Sequence, residues 1–292
     1  MNIKQVLKRS EEYLNKHSVP QPRLDAEVLL ADLLDMERIK LYVNYDYPLK
    51  PEELDKYRER ISMRGKRIPV AYITGFKEFM SLELKVNQEV LLPRPETELL
   101  VEEIIDYCKE NNLEQPNIVD VGTGSGAIMV SLGYYLEGAR VLGIDISKAA
   151  VQTARENIEQ YDLGERLKVI QGDLLEPLLK MGKDNVDIVV SNPPYISKEE
   201  MEELQPEVKA EPRLALEGGT GGLEIYRQLI PQSRKVLQDE GLLILEFGQN
   251  QAQSLENMFS GWEQVKVKKD YAGHKRIISA LKPANKDTEG LD

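Results

Sequence analysis

From Asn117 onward the chain alternates short apolar runs with helical stretches, and that alternation leaves few architectures open. Ile118-Val119-Asp120-Val121 reads as a first strand, Gly122-Thr123-Gly124-Ser125-Gly126 follows it, and Ala127 to Leu136 carries a helical pattern. Val141 to Ile144 is a second strand ending in Asp145, and Leu167 to Ile170 a third leading into Gly172-Asp173-Leu174. Val186 to Val190 is a fourth, followed by Ser191-Asn192-Pro193-Pro194-Tyr195. Leu242 to Phe247, Val265 to Val267 and Ile277 to Leu281 complete the set. The pattern predicts an α/β fold with a parallel sheet of seven strands covered by helices. Such sheets build their sites at the carboxyl ends of the strands.

Two kinds of ligand fit the glycine loop. Gly122, Gly124 and Ala127 match G-x-G-x-x-G/A, and Asp145 lies about 20 residues on, where a carboxylate accepts from a ribose diol. That spacing suits NAD, and it equally suits S-adenosylmethionine. The loop specifies an adenosine-type cofactor and leaves its identity open.

Asn192-Pro193-Pro194-Tyr195 separates the two. Consecutive prolines fix φ and donate no hydrogen bonds, while their carbonyls stay free to accept. A rigid corner at a strand end then presents an amide side chain, bare carbonyls and an aromatic face. That arrangement suits a planar –NH2 group, which needs two acceptors and a surface to stack on. Hydride transfer has no use for such a clamp, whereas methyl transfer to nitrogen does.

The rest of the composition sets limits. No run of 18 apolar residues occurs, so no membrane span is expected. Cys108 is the single cysteine and His17 and His274 the only histidines; an internal disulfide is impossible, a His/Cys metal site is not expected, and a cytoplasmic protein is. Residues 1–75 carry a net charge of +2 and the remainder −14. A surface that acidic disfavours direct binding to a nucleic-acid backbone. Lys56, Arg58, Arg60, Arg64, Lys66 and Arg67 form one basic cluster, readable as a solvated helix face or as a docking patch.

Residues 1–75 predict a helical recognition domain. Ile3, Val6, Leu7 and Leu14 share one helical face, Leu24, Val28, Leu29 and Leu33 another, and Pro51 opens a third helix with Leu54, Tyr57 and Ile61. Residues 76–92 predict a β-hairpin linker with its turn around Asn87-Gln88. Pro95 stands near the start of a helix running to about Asn111, within a catalytic domain spanning 93–282. Residues 283–292 read as a flexible polar tail. Ile196 to Thr220 is long and polar, and fits either a lid or a surface insertion.

Several segments together carry a resemblance. They are Pro69-Val70-Ala71-Tyr72-Ile73-Thr74-Gly75, Glu78-Phe79, Leu92-Pro93-Arg94-Pro95-Glu96-Thr97-Glu98, Asn192-Pro193-Pro194-Tyr195, Glu211-Pro212 with Ala215-Leu216 and Gly218-Gly219, and Ala272-Gly273 with Arg276. In this order they resemble the PrmC (HemK) family, which methylates the glutamine of the Gly-Gly-Gln motif in class I peptide chain release factors. The resemblance implies a helical bundle, a hairpin linker and a Rossmann-like class I methyltransferase domain whose last strand is antiparallel. It implies that Gly122, Thr123, Gly124, Ser125 and Gly126 line the methionine and ribose of S-adenosylmethionine. Asp145 would take the ribose hydroxyls, and Asp173 and Leu174 would border the adenine. Many members carry a large aromatic where Leu174 stands. Asn192 and the Pro193 carbonyl would accept from the substrate amide, with Pro194 and Tyr195 beside it. Asn192, Pro193 and Tyr195 are thus the expected catalytic residues, with no metal. Two other substrates suit the same signature, a ribosomal protein glutamine and an adenine in nucleic acid.

Overall fold

The computed structural model describes residues 1–284; most of the expected flexible tail lies outside the described residues. The chain divides into two units, Met1–Phe76 with Gln205–Ala210, and Lys77–Leu204 with the chain from Glu211.

In the first unit the apolar periodicity produces α1 (Ile3–Lys16), α2 (Pro22–Leu33), α3 (Arg38–Val43), α4 (Pro51–Gly65) and α5 (Val70–Thr74). Asn2 caps α1, accepting from the Gln5 amide while its own amide donates to the Gln5 side chain. Pro22 and Pro51 open α2 and α4, where a missing N–H costs nothing. Ile3, Leu7, Leu14, Leu29, Leu30 and Leu41 form the core, and Tyr57 is buried among them with its hydroxyl donating to the Ala26 carbonyl. α3 and α5 were not legible in the sequence, because five or six residues are too few to show a period.

The basic cluster on α4 and just after it is largely consumed within this unit. Arg64 is buried and donates to Asp25 at 2.7 Å and to Glu207 at 2.8 Å. Arg67 donates two bonds to Glu207, both at 2.6 Å. Arg60 pairs with Asp32 and Arg58 with Asp55.

Next in the chain is a hairpin, β1 (Phe76–Phe79) and β2 (Leu82–Lys85), which from Lys77 on belongs to the second unit. Its turn is at Met80-Ser81, both with positive φ (49° and 57°), and not at Asn87-Gln88. Residues 86–92 form no strand. Asn87 instead folds its own loop, accepting from the Glu89 amide and donating to Thr153. Asn carries stronger turn chemistry than Met-Ser, whose two positive φ values no Gly or Asn announces, which is why the pattern misplaced the turn.

Beyond the hairpin come α6 (Glu98–Glu110), β3 (Asn117–Val121), α7 (Ala127–Tyr135), β4 (Arg140–Asp145), α8 (Lys148–Gln160), β5 (Leu167–Gln171), α9 (Glu176–Lys180) and β6 (Val186–Ser191). The short α10 (Pro206–Lys209) belongs to the first unit. The remainder is α11 (Glu224–Val236), β7 (Leu237–Glu246), α12 (Ala252–Met258), β8 (Glu263–Lys269) and β9 (Lys275–Leu281). The sheet has the order β5-β4-β3-β6-β7-β9-β8, parallel throughout except for β9, which runs antiparallel to both of its neighbours.

Both faces of the sheet are buried, which is why its central strands are almost continuously apolar. Ile118, Ile188, Val190 and Ile244 pack on one side with Leu100, Ile104 and Met129. Val119, Val189, Leu243 and Leu245 pack on the other with Tyr226, Leu229 and Leu255. Strand order reverses between β3 and β6, the switch point at which such sheets open a crevice. Register aligns the strand ends there: Val121 sits opposite Ile144 on one side and Ser191 on the other. The glycine loop, Asp145 and Asn192 therefore emerge side by side.

Candidate active site

A cavity of about 320 Å³ opens at this crevice, with a mostly apolar wall. Gly122, Gly124, Asp145, Asp173, Leu174, Asn192, Pro193 and Pro194 all line it, although they come from four separate strand ends. Thr123, Ser125, Gly126 and Tyr195 stand behind the wall. The Thr123 hydroxyl turns away to donate to Asp120 at 2.6 Å. Ser125 is buried and its carbonyl accepts from Asn157. Gly126 begins α7 at φ 83°, where a Cβ would press on Ala154. At Gly124 a Cβ would meet nothing within 4 Å, so the space above it is left for a ligand.

Asp145 is held by two backbone donors, Gly124 N–H to Oδ2 at 2.9 Å and Ser147 N–H to Oδ1 at 2.8 Å. Burial raises its pKa, and these hydrogen bonds work against that rise. Each oxygen keeps a lone pair, enough for a vicinal diol. Asp120 lies deeper, fully buried, with Oδ1 unpartnered among the described residues. Burial pushes it up to about 7 against the bonds from Thr123 and the Met129 backbone, and the nearby Asp145 adds to the rise.

The proline corner is rigid for reasons beyond its prolines. The Gln251 amide donates to the carbonyl of Tyr195 at 2.9 Å and accepts from the Gly248 N–H. Gly222 lies against the same carbonyl, which a Cβ would approach to 2.0 Å. The Tyr195 ring packs into the core beneath the sheet rather than along the cavity, and burial pushes its hydroxyl pKa upward. The Pro193 carbonyl and Asn192 Oδ1 accept no hydrogen bond among the described residues.

Sequence reasoning missed part of the wall. Val90 and Leu91, expected in a strand, line the cavity as irregular chain, and Ile146, half exposed beside Asp145, lines it too. Pro212, Arg213, Leu214 and Ala215, from the span expected as a lid or an insertion, close another side. That span is anchored by a bridge from Ile196 to Glu217. Buried Glu211 accepts from the Leu92 N–H and from Arg94, which joins two motif segments that sequence could only quote separately.

The crevice, the glycine loop and the acid after β4 define a class I methyltransferase architecture. Residues 113–282 match a methyltransferase domain family, and residues 5–75 match the PrmC N-terminal domain. The hMettl16 catalytic domain has the same fold at a TM-score of 0.56, with 18% identity over 82% of this chain and 84% of that one. The release factor glutamine methyltransferase of Clostridium acetobutylicum is 38% identical over 97% of this chain and 99% of its own length. Its counterpart in Geobacter sulfurreducens is 41% identical over 88% of each. The chain belongs to the release factor glutamine methyltransferase family.

Proposed function

We propose that this enzyme transfers a methyl group from S-adenosylmethionine to the side-chain nitrogen of the Gly-Gly-Gln glutamine in class I peptide chain release factors, in the cytoplasm. The observation that carries the reading is the pair of unengaged acceptors, Asn192 Oδ1 and the Pro193 carbonyl, on one wall of the cavity that Gly124 and Asp145 line on another.

The residues present fit the cofactor. Gly122 and Gly124 leave room for close approach, Asp145 keeps lone pairs for a ribose diol, and Ile146, Leu174 and Asp173 border the space for a base. Leu174, at φ 45°, offers an aliphatic surface to that space. When bound, S-adenosylmethionine supplies an electrophilic methyl group on a sulfonium.

An amide nitrogen is a weak nucleophile because its lone pair is shared with the carbonyl. The protein's contribution is therefore chiefly positioning. Asn192 Oδ1 and the Pro193 carbonyl each accept one proton of the substrate –NH2 and fix its plane. As positive charge grows on that nitrogen, the same two dipoles stabilise it.

The first unit supports a role in docking the protein substrate. Ile39 and Val43, four residues apart on α3, are 64% and 82% exposed, with Tyr42 beside them. Apolar side chains grouped in water mark an interaction surface.

The test offers radiolabelled cofactor with release factor, ribosomal protein and DNA in parallel, alongside calorimetry with S-adenosylmethionine and NAD. Label in the release factor and heat with S-adenosylmethionine alone are expected. Label in DNA, or binding of NAD alone, would overturn the reading.

A further inference from the structure

Behind Asn192 lies a chain of hydrogen bonds that no step described so far uses. Asn192 Nδ2 donates to Thr97 Oγ1 at 2.9 Å, and Thr97 Oγ1 donates to Glu246 Oε2 at 2.7 Å. Thr97 and Glu246 are both buried, and neither lines the cavity. Thr97 ends the turn before α6 and Glu246 ends β7, so the chain ties two segments far apart in sequence to the residue after β6.

Proton counting gives this chain a direction. A carboxylate accepts only, and a threonine hydroxyl has one proton. With that proton committed to Glu246, the oxygen of Thr97 can only accept, and the part of Asn192 facing it must be the –NH2. The carbonyl Oδ1 is then forced to the opposite side, toward the cavity. A free asparagine would sample both amide orientations, and the flipped one would present a donor to the substrate's own donors.

We propose that Thr97 and Glu246 are positioning residues that fix the amide orientation of Asn192, so that Oδ1 and not Nδ2 meets the substrate nitrogen. This rests on the reading of Asn192 as the substrate's acceptor.

The chain is polarised by its surroundings. Facing Glu246 are Arg94 and Glu96 from the segment before α6, Tyr195 after β6, Tyr226 on α11 and Arg276 on β9. Burial dominates and pushes Glu246 up to about 7 against the Thr97 bond and the two arginines. Once protonated, Glu246 can donate to Thr97, whose own proton then turns toward Asn192 and admits the flipped amide. The methyl-transfer rate is therefore expected to rise with pH through this range.

The experiment is single-turnover methyl transfer to intact release factor at saturating S-adenosylmethionine, with cofactor affinity followed by calorimetry. Thr97→Val is expected to slow transfer by ~10–100-fold, the cost of a mispositioned group, with cofactor affinity unchanged. Thr97→Ser keeps the hydroxyl and should stay within about threefold. Residues acting through one another are non-additive. In an Asn192→Ala background, Thr97→Val should therefore change the rate by less than about twofold. An equal loss in both backgrounds, or no loss in the first, overturns the proposal. Wild-type rate in Asn192→Ala alone would instead sink the reading of Asn192. Glu246→Gln supplies the readout that does not depend on Thr97→Val folding: it should abolish the rise with pH and leave a low, flat profile. A Gln variant keeping the wild-type pH profile overturns the proposal.

Discussion

Asn192 and Asp145 divide the work of the cavity between substrate and cofactor, and each division is testable in one side chain. Asn192→Ala should reduce turnover by ~10²–10³, the usual cost of one preorganised electrostatic contact, while leaving cofactor affinity nearly intact. Asn192→Asp keeps an acceptor in place and should retain more single-turnover activity than Ala; equal rates would mean that acceptance is not what counts. Asp145→Ala removes hydrogen bonds to a charged group, each worth ~1.5–3 kcal/mol, and also frees the Gly124 amide. Calorimetry should record at least about tenfold weaker cofactor binding, and unchanged affinity would leave Asp145 as a loop-fixing residue only. Residue types at strand ends were legible because the chemistry of glycine, acid and Asn-Pro-Pro is position-specific. The roles of Thr97 and Glu246 were not, since neither type is unusual in sequence and their meaning lies in a contact across 149 positions.

At the level of elements, the strands declared themselves through apolar runs, and the register aligning Val121, Ile144 and Ser191 follows from their burial on both faces. The sequence reading of the fifth strand was shorter than the real one. β7 begins at Leu237, where Asp239 and Glu240 mask the pattern, and ends at Glu246, leaving Phe247 outside. The loops that complete the cavity, 89–91 and 212–215, carry no period and were invisible as wall. α3 carries a prediction of its own. Its exposed Ile39 and Val43 contribute little to the core, so Val43→Asp should leave folding intact. It should raise the KM for intact release factor several-fold while a short Gly-Gly-Gln peptide reacts as before. Equal effects on both substrates would remove docking as the role of this face.

Over the whole molecule, buried carboxyls set opposing trends with pH. Asp120 and Glu246 have folded pKa values raised to about 7 from ordinary values near 4, so the folded state binds more protons than the unfolded one across that interval. Their contribution to stability is full below the unfolded values and is lost as pH rises toward about 7. Glu207 runs the other way. Partial burial raises it, but Arg67 and Arg64 outweigh that and hold it at about 2, so its contribution is present above its ordinary value of 4.5 and lost as pH falls toward about 2. Chemical denaturation between about pH 4.5 and 7 should show wild type losing stability as pH rises, with a shallower slope in Asp120→Asn. Glu207→Gln should lose less stability than wild type on going from about pH 4.5 to 2. Parallel slopes in variant and wild type would contradict the assignment of these protons.

The most direct measurement is fragmentation mass spectrometry of release factor incubated with this enzyme and S-adenosylmethionine, read against the Asn192→Ala variant. The added methyl is predicted on the glutamine side chain of the Gly-Gly-Gln motif, and near absence of it with the variant. A methyl group on any other residue, or equal methylation by both proteins, would contradict a site built to hold an amide nitrogen.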